Sequence, residues 1–127
     1  MPEIHLYEYA VIRVVPRVER EEFINVGLIL FCKKENFIKV LFSVDENKLR
    51  AFCSELDLDQ VNLNLKSLEK IANGEESGGP IAMLDLPSRF RWLTAVRSSS
   101  IQTSRPHPGL CKNLEDTTER LFCELVL

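Results

Sequence analysis

The sequence predicts a single α+β domain: an antiparallel sheet of three to four strands with helices packed on it. Three observations carry this expectation. The first third of the chain runs apolar in the short stretches that strands use, and the remainder switches to the 3.6-residue period of amphipathic helices. Strands followed by helices is the order of an α+β fold, not of alternating βα units. A length of 127 residues lies near the commonest size for one domain, so residues 1–127 are read as one unit.

Residues 7–15 (YEYAVIRVV) are aromatic and β-branched and stop at Pro16, which marks a strand. Residues 26–32 (VGLILFC) are apolar at every position, the pattern of a central strand covered on both sides. Lys33-Lys34-Glu35-Asn36 is a polar turn, and residues 37–44 (FIKVLFSV) return as the third strand of a hairpin. Gly27 interrupts the apolar run just after Asn25, and a glycine inside a strand marks a bulge or a close backbone approach.

Helices follow. Asp45 is placed to cap one with Leu49, Phe52, Cys53 and Leu56 on one face. Asp59 is placed to cap a second, with Val61, Leu65, Leu68 and Ala72 inward and Gly74 as its stop. Residues 75–80 (EESGGP) read as the one flexible stretch. Pro87-Ser88 opens a third helix with Phe90, Leu93, Ala95 and Val96 inward, and residues 99–104 suit a short edge strand. Residues 105–109 (RPHPG) read as irregular, since two prolines and a glycine flank one histidine. Asn113 with Asp116 resembles a capping pair for a last helix buried along Leu114, Thr118, Leu121, Phe122 and Leu125.

The bulk composition narrows the function classes. An apolar fraction of 45% and a charged fraction of 28% are those of a soluble globular protein. A net charge of −3 with pI near 5.4 argues against a protein built to coat nucleic acid. The four cysteines form no Cys-x-x-Cys pair and sit among apolar neighbours, which suits buried free thiols in a reducing, cytoplasmic setting. No basic-then-apolar leader opens the chain, and no apolar run approaches the roughly 18 residues of a membrane span. No metal-ligand spacing, cofactor loop or nucleophile motif is present, so the reading carries no metal, no cofactor and no catalytic residue.

The charge distribution is more informative. Residues 86–114 contain no Asp or Glu but five basic residues, Arg89, Arg91, Arg97, Arg105 and Lys112. The chain has 19 carboxylates against 11 basic residues elsewhere. Such segregation predicts a positive patch that attracts phosphate, carboxylate or an acidic partner. Arg97, Ser99 and Arg105 are its candidate anion ligands, since guanidinium forks and hydroxyls bind phosphate in two-point fashion. His107, held in a proline-rich loop, is a further candidate ligand-binding residue and would be the acid/base group only if the chain were an enzyme, for which no partner residue is visible; His5 sits at the chain start. Arg13 occupies an otherwise apolar strand on the face of Tyr7 and Tyr9, with Glu21 and Glu22 as partners for a structural ion pair. The sharper alternative sets Arg13 beside Asn25 on the neighbouring strand, both facing a ligand.

Residues 9–16 (YAVIRVVP) and 22–30 (EFINVGLIL) resemble the opening of a bacterial family of unknown function, the one numbered 3037, and the Pro-His-Pro-Gly-Leu segment is similar to its C-terminal half. The resemblance brings no activity. It implies a partner relationship with kinases similar to HipA, the toxin kinase of bacterial persistence systems. The resulting expectation is a small cytoplasmic interaction or regulatory module, more readily non-enzymatic than enzymatic. The alternative is binding of a phosphorylated ligand or nucleic acid through the basic segment.

Overall fold

A computed structural model describes residues 3–95 and 99–127. Three antiparallel strands open the chain: β1 (His5–Val14), β2 (Ile24–Cys32) and β3 (Phe37–Phe42). Three helices follow, α1 (Glu46–Phe52), α2 (Leu58–Ala72) and α3 (Leu86–Leu93). Two short strands, β4 (Ile101–Thr103) and β5 (His107–Cys111), precede the closing helix α4 (Leu114–Leu125). The sheet runs β3-β2-β1, and the free edge of β1 is shared end to end by β4 and β5. This is the expected α+β domain, with five strands in four columns.

Both faces of the sheet are covered, as the unbroken apolar run of β2 requires. Ala10, Ile12, Val14, Ile29 and Phe31 face α1 to α3, where Phe31 stacks on Phe90 at 4.7 Å between ring centroids. Tyr7, Val11, Leu28, Leu30 and Cys32 face α4 through Leu114 and Leu121. The strand period of two assigns each side chain to its layer.

The bulge falls where Gly27 marked it. Ile12 is opposite Gly27 but Arg13 is opposite Asn25, so Val26 is the extra residue on β2. Asn36 closes the β2–β3 turn at φ 51°, a left-handed conformation that asparagine tolerates.

Local details depart from the sequence reading in informative ways. Residues 107–111 are strand, not loop. Glu8, opposite Pro108, lies in a row whose amides turn away from β5, because Val11 and Val15 bond β4 and its flank and strand amides alternate in direction. Pro108 therefore sits where no amide donor is needed, the placement an edge strand permits. Gly109, opposite Tyr7, leaves room for the phenol: a Cβ there would stand 2.4 Å from the Tyr7 oxygen.

The cap of α2 is Asp57 instead of Asp59, and it accepts from the Gln60 amide at 3.1 Å. Helix α3 begins one residue earlier than expected, capped by Asp85, whose oxygen accepts from the Ser88 amide; its pKa is held down first by the Ser88 hydroxyl and then by that amide. It ends at Leu93, so Ala95 is exposed, while Val96 lies outside the described residues. Helix α1 stops at Phe52, leaving Cys53 as its C-cap and Leu56 beyond it. Residues 75–80 include a 3₁₀ turn at Glu76–Gly78 and the start of another at Pro80–Met83. Cys123 is exposed, unlike the buried thiol expected there; all four cysteines are free.

Candidate functional site

The expected neighbours Arg13 and Asn25 are directly paired across β1 and β2, and Gln102 on β4 pairs Arg13 from the other side. Directly opposed residues share a face, so Asn25, Arg13 and Gln102 form a polar row on the α4 side of the sheet. Asn25 donates its Nδ2 hydrogen to the Leu125 carbonyl at 3.1 Å, tying the row to the end of α4. Its Oδ1 is buried and accepts nothing.

Arg13 makes no ion pair among the described residues. Its guanidinium carbon lies 4.0 Å from the centre of the Phe23 ring, a cation–π contact. Neither expected partner pairs with it: Glu22 contacts Arg20, and Glu21 forms no ion pair with Arg13 among the described residues. Arg13 Nε is buried without an acceptor, and burial pushes the pKa of the group down. A partly desolvated guanidinium attracts an anion more strongly than a fully hydrated one, because charge attraction strengthens where water is excluded. A cavity of about 330 Å³ adjoins the row, lined by Phe23, Asn25, Lys48, Glu124 and Leu127. Phe23 and Lys48 are site residues that periodicity did not reveal, since they come from a connection and from α1.

The basic segment runs through α3, β4 and β5. Arg89 lies on α3, on the other side of the sheet from the row of Arg13. Its Nη1 occupies the space beside Gly74, at φ 69° past the end of α2, where a Cβ would be 2.1 Å away. A guanidinium at a helix C-terminus meets the negative end of the helix dipole, which gives Arg89 a structural role. Arg97 lies outside the described residues. Ser99 donates to the Ile101 carbonyl at 2.6 Å and lines a cavity of about 340 Å³ with Asn64, Trp92 and Thr103. Arg105 is exposed between β4 and β5. His107 is exposed on the Arg13 face, with its ring 5.4 Å from that of Tyr9. A larger cavity, about 560 Å³, is elsewhere: Arg17, Arg20 and Arg50 line it with Glu22 and Glu55.

Two further features emerged only from the fold. Ile4, Leu6 and Leu110 are 58%, 64% and 69% exposed, and Leu6 is directly opposite Leu110. They occupy the face of Ala10 and Ile12 at the sheet end beyond the helices. His5, read as part of the chain start, is a half-buried member of β1 opposite Cys111, and it gathers with Glu3 and Glu35.

A family model described as a protein of unknown function, DUF3037, matches residues 9–126. The chain belongs to this family. The match takes in every element of the DUF3037 chain from within β1 to α4, and thus the whole Arg13 row. No curated protein and no solved structure matches it. Among the described residues, no helix is long and apolar enough to cross a membrane.

Proposed function

We propose that this DUF3037 chain is an interaction module whose partner protein docks on the sheet end formed by Ile4, Leu6 and Leu110. The observation that carries the reading is the exposure of the directly paired Leu6 and Leu110 on β1 and β5, with Ile4 exposed two residues before Leu6. Isolated exposed apolar residues are ordinary, whereas a cluster of them on a rigid sheet marks an association surface. Glu8 and Lys112 border the strip, giving the polar rim of a protein interface. A HipA-like kinase is the partner that the family resemblance implies. We place the encounter in the cytoplasm, where four free thiols are stable.

The test is recovery of the tagged chain from cells with its companions quantified. Leu6→Lys with Leu110→Lys is expected to reduce recovery of a stoichiometric partner at least about tenfold, with the melting temperature unchanged. A monomer that co-purifies with nothing, or a partner held equally by the double variant, defeats the proposal.

A second reading rests on the unpaired N–H of Arg13 Nε: the polar row binds a phosphorylated ligand or nucleic acid. Inorganic phosphate and a short oligonucleotide are suitable probes. Binding is expected at low salt, weakened about tenfold by Arg13→Gln and steeply by added salt. Absence of binding at low ionic strength removes this reading.

A further inference from the structure

We propose that Glu3, His5 and Glu35 form a binding site for a divalent transition cation of the zinc class. One ligand atom from each lies within 4.8 Å of the other two. His5 opens β1, Glu3 lies two residues before it and Glu35 lies in the β2–β3 turn, so the strand pairing brings His5 and Glu35 together.

His5 carries the argument. Its Nδ1 is buried and has no hydrogen-bond partner. The nearest acceptor, Glu35 Oε1, is 3.5 Å away, beyond a charge-assisted hydrogen bond of about 2.8 Å. A divalent cation between Nδ1 and the Glu35 carboxylate would take both as ligands and occupy the unmet bonding position of Nδ1. The spacing suits one. Ligand atoms about 2.1 Å from a tetrahedral ion lie about 3.4 Å from each other. Imidazole and carboxylate are ligand types that zinc accepts together.

Glu3 is an exposed member. It holds Lys34 at 2.9 Å, with both side chains largely exposed. Exposed ion pairs contribute little, so Glu3 can exchange Lys34 for a divalent ion. Three protein ligands leave a position for water or for a residue of a docked partner. Cys111, opposite His5, is not among the three convergent groups. The ion would fasten the start of β1 to the hairpin turn, next to Ile4 and Leu6.

The experiment titrates Zn²⁺ into the chelator-treated full chain by calorimetry, and Co²⁺ by absorption. One ion per chain is expected, with a tetrahedral Co²⁺ spectrum free of thiolate charge transfer. His5→Ala and Glu35→Gln are each expected to weaken binding at least about tenfold, while Cys111→Ser and Cys123→Ser leave it unchanged. Circular dichroism of each variant separates lost ligands from lost folding, and His5→Gln replaces His5→Ala if the latter unfolds. Failure of the chain to bind Zn²⁺ overturns the proposal. So does binding that survives both His5 and Glu35 substitution, or a thiolate band that disappears with Cys111→Ser.

Discussion

Gly27→Ala is expected to destabilise the folded chain by about 3 kcal/mol and to lower Tm by about 10 °C. Gly27 is buried at the bulge, where a Cβ would stand 2.8 Å from the Leu41 carbonyl oxygen, 3.0 Å from Phe42 Cβ and 3.1 Å from Ile12 Cδ1. The first two neighbours are anchored in β3, and the hairpin cannot widen without losing ladder hydrogen bonds. Only the Ile12 methyl is removable. Ile12→Val alone should cost about 1 kcal/mol as a cavity. Combined with Gly27→Ala it should cost less than the sum, because the new methyl gains the vacated space. Urea unfolding followed by circular dichroism measures all three variants. A Gly27→Ala loss below about 1 kcal/mol shows that β2 and β3 separate at the bulge more freely than their packing implies.

The same bulge decides the candidate site. An unbroken ladder continuing from Ile12 opposite Gly27 would set Arg13 against Val26. The extra residue moves Asn25 into that place, and from there Asn25 reaches the Leu125 carbonyl. Alternation along β1 is enough to put Arg13 on the face of the two tyrosines, because period two is a local property. The Asn25 pairing was legible only as an alternative, because register depends on where the glycine forces the slip.

What escaped the sequence escaped for identifiable reasons. The segment at His107–Cys111 reads as a turn because proline and glycine usually break strands; β1 overrides that by offering an edge and a tyrosine that needs a glycine opposite it. Asp57 and Asp59 are both good caps, and only the geometry of the Gln60 amide selects between them. His5 and Glu35 are far apart in sequence, so no spacing rule joins them; the β1–β2 register and the turn do. The segregated arginines were legible as composition; in the fold Arg89 lies on α3 and Arg105 between β4 and β5, while Arg97 lies outside the described residues.

Ile29→Ala and Leu30→Ala should each cost about 3 kcal/mol, although the two residues are adjacent and point in opposite directions. Both side chains are fully buried, Ile29 among the residues facing α1 to α3 and Leu30 among those facing α4. A sheet with one wet face would give a different result: the solvent-side substitution would change stability by no more than about 0.5 kcal/mol. Because the two side chains belong to separate clusters, their effects should add to about 6 kcal/mol. That approaches the whole stability of a small domain, so the double variant should be largely unfolded at 37 °C. Urea unfolding of the single variants and thermal scans of the double one test this. Leu30→Ala has a further consequence. It loosens the packing that seats α4, and α4 supplies the Leu125 carbonyl held by Asn25. Proteolysis near the C-terminus should therefore accelerate in Leu30→Ala more than in Ile29→Ala, at matched global stability. Equal rates would mean that α4 is held by the chain as a whole and not by its own face of the sheet.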